Sequence, residues 1–180
     1  MKTSINKITL SGEVASGKST IGKLLAKQLN FEFISIGNKT REYANTKGLT
    51  IVEFQKECLL NSDIDKQIDK EFSNDCNTNF NLVIDYRLGF NFINNGFHVF
   101  LKINEEEATK RLKAANRINE SHLTINERNN SFKNQFLNAY GVDYTQEKHY
   151  DLIIDVSNYS NVENIGAIIQ QQFESKKVKV

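Results

Sequence analysis

Proline is absent from this 180-residue chain, cysteine occurs twice and histidine three times, and no apolar run approaches a membrane span. Each absence removes a class of protein. A transmembrane helix needs about twenty consecutive apolar residues, and the stretch before Gly12 lacks the apolar centre and cleavage pattern of a secretory leader. The expected location is the cytoplasm. Cys58 and Cys76 are isolated, without C-x-x-C spacing and with His98, His122 and His149 at no ligand spacing from them, so they indicate no zinc site. They read as reduced bystanders.

Charge of one sign is missing too. With 23 basic and 22 acidic residues interspersed, the net charge is +1 and leaves no electrostatic footprint for nucleic acid or an anionic membrane. A small charged ligand is the expected partner. Asparagine, at 23 residues, is a compositional bias that implies no function, although Asn74–Asn81 and Asn91–Asn95 fall where loops are expected. A chain of 20.6 kDa can bury one substantial core, so one domain with mobile subregions is expected.

Against these absences stands Gly12-Glu13-Val14-Ala15-Ser16-Gly17-Lys18-Ser19, a G-x-x-x-x-G-K-[ST] motif. The β-branched run Ile5–Leu10 precedes it, and Thr20–Leu29 follows with Ile21, Leu24, Leu25 and Leu29 on one helical face. Strand, loop and helix are the context in which backbone N–H groups converge on phosphate at a positively polarised helix N-terminus. The loop contributes Gly12, Ala15, Ser16, Gly17, Lys18, Ser19 and Thr20. Lys18 would bridge the outer phosphates of ATP, and Ser19 would complete the coordination of Mg²⁺.

Further along, Phe31–Ile36 alternates as a second strand ending at Gly37, after which Asn38 can cap a helix over Lys39–Lys47. Gly48 stops that helix, and Thr50 with Glu53 has the form of a capping box. Ser62 or Asp63 opens another helix, with Ile64, Ile68 and Phe72 in one apolar stripe. Leu82–Ile84 suits a buried parallel strand, with Asp85 at its carboxyl end, and Phe97–Ile103 is the fourth strand. A helix from Asn104 turns Ala108, Leu112 and Ala115 inward. Polar residues 116–126 lead into helix Ile125–Tyr140, the pattern of a lid. Asp151–Val156 is the fifth strand, Val162–Phe173 the closing helix and 174–180 a frayed tail. The alternation predicts an α/β fold, a doubly wound parallel sheet of about five strands with its ligand site at the strands' carboxyl ends.

Asp85 is placed to hold a Mg²⁺-bound water opposite Ser19, and Arg87 to clamp a phosphate or carboxylate. Arg111, Arg117 and Arg128 flank the polar hinge, where mobile cations could close over a phosphoryl group. Phe132, Phe136 and Tyr140 recur at helical period and read as core.

Ile8–Asn30, Phe33–Gly37 with Arg41-Glu42, Gly48–Thr50, Ser62–Asp69, Arg87–Gly89, Arg111-Leu112, Glu127-Arg128, Tyr140–Asp143 and Tyr150–Asp155 together resemble the cytidylate kinases, most of all the short archaeal type. The resemblance covers nearly the whole chain. It implies an adenylate-kinase-like phosphate-loop kinase: core 1–37, 80–113 and 141–180, acceptor-binding insertion 38–79 and lid 114–140. ATP would lie on the loop and Mg²⁺ on Ser19, with a cytidylate-type acceptor under the inserted helices. Arg41 and Arg87 would grip the acceptor phosphate, Asp63 would lie near its base or sugar, and Lys18, Arg111, Arg117 and Arg128 would act on the transferred group. The family pattern departs at Asn38, Thr40 and Tyr86, the last expected to set a bulky ring beside the acceptor. The lid is about two residues shorter than the family form. The resemblance further implies a monomer. Two rivals stay open: a kinase of the same architecture for another small acceptor, and a nucleotide-binding sensor or scaffold.

Overall fold

Period-two alternation along the strands deals their side chains onto two faces of one sheet. The computed structural model describes residues 5–116, 124–159 and 161–179. Its strands β1 (Lys7–Gly12), β2 (Glu32–Ser35), β3 (Leu82–Asp85), β4 (Gly96–Lys102) and β5 (Leu152–Asp155) pair in parallel in the order β2-β3-β1-β4-β5. Ile8, Leu10, Val83, Val99, Leu101 and Ile154 face one layer, where helices α1 (Lys18–Leu29) and α8 (Val162–Lys179) pack. Leu82, Ile84, Phe100 and Ile153 face the other, against aromatics from α4 (Ser62–Thr78) and α7 (Ile125–Tyr140). Both faces are covered, which is why the strands read as apolar runs.

Between β2 and β3 the chain forms α2 (Ile36–Thr46), α3 (Ile51–Leu60) and α4, held around a small core of Ala44, Phe54, Cys58 and Ile68. The Thr50/Glu53 capping box is present, as is a second at Thr124/Glu127. A short α5 (Gly89–Phe92) precedes β4, α6 (Glu105–Ala114) follows it with Asn104 as N-cap, and a 3₁₀ turn spans Glu147–His149.

Several local expectations shift. Helix α2 starts at Ile36, so Asn38 lies inside its first turn and does not cap it. The asparagines at 74 and 77 belong to α4. Ala115 is the exposed C-cap of α6, because the helix ends before that position can turn inward. Helix α8 continues through the segment expected to fray: Lys176 pairs with Asp151, and Lys177 lies over Phe31 and Phe173. Asn30, Asn81, Asn95 and Asn116 adopt left-handed backbone, giving asparagine a turn-forming role in a chain without proline.

Candidate functional site

The carboxyl ends of β1 and β3 are adjacent, with Leu10 in register with Asp85. Beyond β1 the chain bends sharply. Gly12 adopts φ +144, and a Cβ there would meet the Leu101 carbonyl oxygen at 2.4 Å, so only glycine passes this point. Ala15 at φ +63 and Gly17 at φ +89 continue the bend into α1. Such a succession of left-handed residues turns consecutive N–H groups into a concave cradle for an anion.

The loop is braced from three sides. Glu13 Oε2 accepts from the Ile103 N–H at 2.7 Å, tying it to the end of β4. Ser16 Oγ donates to the Glu13 carbonyl at 2.9 Å. Asn129 Oδ1, from α7, accepts the Val14 N–H at 2.9 Å. The 115-residue separation of that last pair hides it from sequence reading.

Lys18 donates to the carbonyls of Gly12 at 3.0 Å and Glu13 at 2.8 Å, so its ammonium lies inside the curve of the loop. Burial, reinforced by the Arg87 charge and opposed by Asp85 and Glu13, lowers its pKa to about 7. Beside it, Ser19 Oγ donates to Asp85 Oδ2 at 2.5 Å. Ser19 lies in the first turn of α1 and Asp85 ends β3, so the pairing of β1 with β3 brings hydroxyl and carboxylate together from 66 residues apart. These are hard oxygen donors of the kind that suit Mg²⁺, which takes one or two protein oxygens and completes its shell with water and phosphate.

Arg87 lies just past Asp85. Its backbone carbonyl accepts from Ser11 Oγ at 2.9 Å, its guanidinium sits 4.0 Å from the Phe132 ring centroid, and its buried Nε has no acceptor among the described residues. The Tyr144 hydroxyl, also buried, lies against that guanidinium. A planar cation next to Lys18 is suited to receiving an oxyanion.

The remaining residues singled out in the sequence take varied positions. Arg111 donates through Nε to Glu107 Oε1 at 3.1 Å and through Nη2 to the Val156 carbonyl at 2.7 Å. It lines a hollow of about 240 Å³ with Gly17, Thr20, Ile21, Tyr159 and Val162, on the flank of the loop. Arg128 sits half-buried in the first turn of α7. Arg117 lies outside the described residues. Arg41 is exposed and donates to Asn38 Oδ1 at 2.6 Å. Asp63 is exposed at the start of α4, 3.7 Å from Lys66, and turns to solvent. The Tyr86 ring is buried in the core: it packs on Phe72 and Phe92, and its hydroxyl donates to Asp69 Oδ1 at 2.8 Å. Phe132, Phe136 and Tyr140 pack against the same core.

Residues 7–158 match the cytidylate kinase-like family. The chain belongs to that family. Among similar proteins, an S-adenosylmethionine-dependent nucleotide dehydratase of Lacinutrix mariniflava is 49% identical over 181 residues, which is 99% of this chain and 37% of that protein. The chain thus spans about a third of that relative's length. A cytidylate kinase of Sulfurisphaera tokodaii is 32% identical over 155 residues, covering 84% of this chain and 86% of the other. Among solved structures, shikimate kinase from Bacteroides thetaiotaomicron superposes with a TM-score of 0.68 at 21% identity, covering 94% and 98% of the two chains. That likeness concerns the fold: an α/β phosphate-loop kinase architecture. Among the described residues no helix is long and apolar enough to cross a membrane.

Proposed function

We propose that the chain transfers the terminal phosphoryl group of ATP to a nucleoside monophosphate, with cytidylate or deoxycytidylate as acceptor. The observation that carries this reading is the convergence of Lys18, the Ser19–Asp85 pair and the guanidinium of Arg87 at the carboxyl ends of β1 and β3. Bound Mg²⁺ would be held by Ser19, with Asp85 behind it, and would neutralise charge on the donor phosphates. The cradle from Gly12 to Thr20 orients the donor, and Lys18 stays cationic when phosphate oxygens replace the loop carbonyls it now bonds. Arg87 fixes the acceptor phosphate, and Arg111 closes the donor side beside Gly17. Phosphoryl transfer asks the protein mainly for positioning and charge, and these residues supply both without a covalent intermediate.

In this reading residues 38–79 form the acceptor-binding insertion and 114–140 the lid, within one kinase domain. Incubation with Mg-ATP and CMP, followed by anion-exchange separation, tests it. Equal amounts of CDP and ADP are expected, and ADP with inorganic phosphate but no CDP would mean hydrolysis and would overturn transfer to CMP.

A second reading concerns what uses the product, and the Lacinutrix relative favours it. A sequence like this one, within a longer protein named for acting on nucleotides, supports a role in preparing phosphorylated nucleotide for a nucleotide dehydratase. In a mixture of the two activities, dehydration would then depend on ATP when the monophosphate is supplied, and would not when its phosphorylated product is supplied.

A further inference from the structure

Helix α7 touches both halves of the proposed reaction. Asn129 and Phe132 lie three residues apart on one face of it, both half-buried. Asn129 Oδ1 accepts the Val14 N–H of the phosphate loop at 2.9 Å. The Phe132 ring carries the Arg87 guanidinium 4.0 Å from its centroid. Three helical residues rise about 4.5 Å, so one turn of helix separates the loop that would hold the donor from the cation that would grip the acceptor.

Each contact constrains its partner. Val14 is buried in the bend between Gly12 and Ala15, where an N–H without an acceptor would be costly, so the loop holds Asn129 as firmly as Asn129 holds the loop. Arg87 is anchored through its backbone, whose carbonyl accepts from Ser11 Oγ at 2.9 Å, while its guanidinium rests on Phe132 with the Tyr144 hydroxyl against it. The far end of α7 is tied to α4: Gln135 Nε2 donates to Asp65 Oδ2 at 2.8 Å, and the Tyr140 hydroxyl to Asp69 Oδ2 at 2.6 Å. The helix is thus pinned to the loop, to Arg87 and to the inserted helices, and a rigid helix passes a displacement at one of these points to the others.

Phosphate bound along the cradle fixes the loop backbone and with it the Val14 N–H. Asn129 is then fixed, Phe132 with it, and Arg87 is presented in one orientation before the acceptor arrives, which removes part of the ordering cost of binding that acceptor. We propose, resting on the nucleotide-kinase reading, that Asn129 is a positioning residue that couples the two sites. An occupied phosphate loop tightens acceptor binding, and a bound acceptor tightens the loop's hold on its nucleotide by the same factor.

Calorimetric titration of CMP into the full chain, with and without saturating Mg²⁺ and an ATP analogue carrying a methylene between its β- and γ-phosphorus atoms, measures that factor without turnover. In the wild type CMP is expected to bind at least about fivefold more tightly with the analogue present, the low end for coupled sites. N129L removes the acceptor oxygen at similar volume, and the factor should disappear. N129D keeps an oxygen for the Val14 N–H and should keep the factor, although its charge weakens binding of the analogue. A merely structural loosening of α7 would shift affinities without this split between the two variants. F132L, which breaks the other contact, should lose the factor as N129L does. Thermal melting reports whether each variant folds, and if N129L does not, F132L decides by the same ratio. A wild type without the factor, a full factor in the folded variant that decides, or its loss in N129D overturns the coupling; turnover of ATP with CMP in the wild type then leaves the kinase reading standing. Absence of CMP binding under both conditions overturns the coupling and the cytidylate reading together. Coupled binding without turnover, using ATP in place of the analogue, sustains the coupling and overturns the kinase reading alone.

Discussion

Ser19 Oγ donates to Asp85 Oδ2 at 2.5 Å, joining the first turn of α1 to the last residue of β3. The hydroxyl is thereby oriented by a carboxylate with further acceptor capacity, the arrangement in which an outer-shell partner tunes a metal ligand. Replacing Asp85 by Asn should keep the fold, since an amide fills the same space. It should raise the Mg²⁺ concentration needed for half-maximal activity about 10- to 100-fold. A magnesium titration of initial rates at saturating ATP checks this, and an unchanged midpoint removes Asp85 from the metal site.

Arg87 is the cation best prepared for the acceptor, because its guanidinium is fixed on Phe132 and its Nε lacks an acceptor among the described residues. Arg87→Ala should raise the KM for the monophosphate about 10- to 100-fold, the range expected for charge-assisted hydrogen bonds, with the KM for ATP nearly unchanged. Phe132→Leu should shift the same parameter by a smaller factor, because it removes only the support beneath the cation. A larger effect on ATP than on the acceptor would reassign Arg87 to the donor side.

His98 offers a prediction about stability that is independent of catalysis. Its ring lies in the sheet with Nδ1 2.7 Å from Thr9 Oγ1. Burial pushes its pKa down to about 4, opposed by Asp151 and aided by Lys176. The unfolded chain, with an ordinary value near 6.5, binds the proton first, so stability is full above about pH 6.5 and declines as pH falls towards 4. The loss amounts to up to about 3 kcal/mol. Urea unfolding between pH 4.5 and 7 should show this slope in the wild type and a shallower one in His98→Asn. Parallel slopes would assign the acid sensitivity to other groups.

Much of the fold was legible because its signals are local. The phosphate loop declared itself by motif and flanks, the apolar runs of β3 and β4 by burial on both faces, and α7 by its four-residue aromatic spacing. The site was legible only where one residue marks the end of an element, as Asp85 marks β3. Asp63 and Asp65 look equivalent in sequence. The helical period turns the first to solvent and the second towards Gln135. Tyr86 looked like an obstruction beside the acceptor, but its hydroxyl finds Asp69 inside the core. The contact between Asn129 and the Val14 N–H had no local sign at all. Reading the Ile64–Ile68–Phe72 stripe together with the acidic positions beside it would have pointed to Asp65 and Asp69.

Phosphoryl transfer itself is tested most directly by the initial rate of ADP formation from Mg-ATP with CMP, dCMP, UMP, AMP or GMP, with the Lys18→Ala protein as blank. Turnover dependent on CMP or dCMP is expected, reduced about a hundredfold or more in the folded variant, as when a preorganised cationic or hydrogen-bonding group is lost from a transition state. Bound ATP with no turnover on any monophosphate, or undiminished turnover by Lys18→Ala, would overturn the assignment of the phosphate loop to nucleotide phosphorylation.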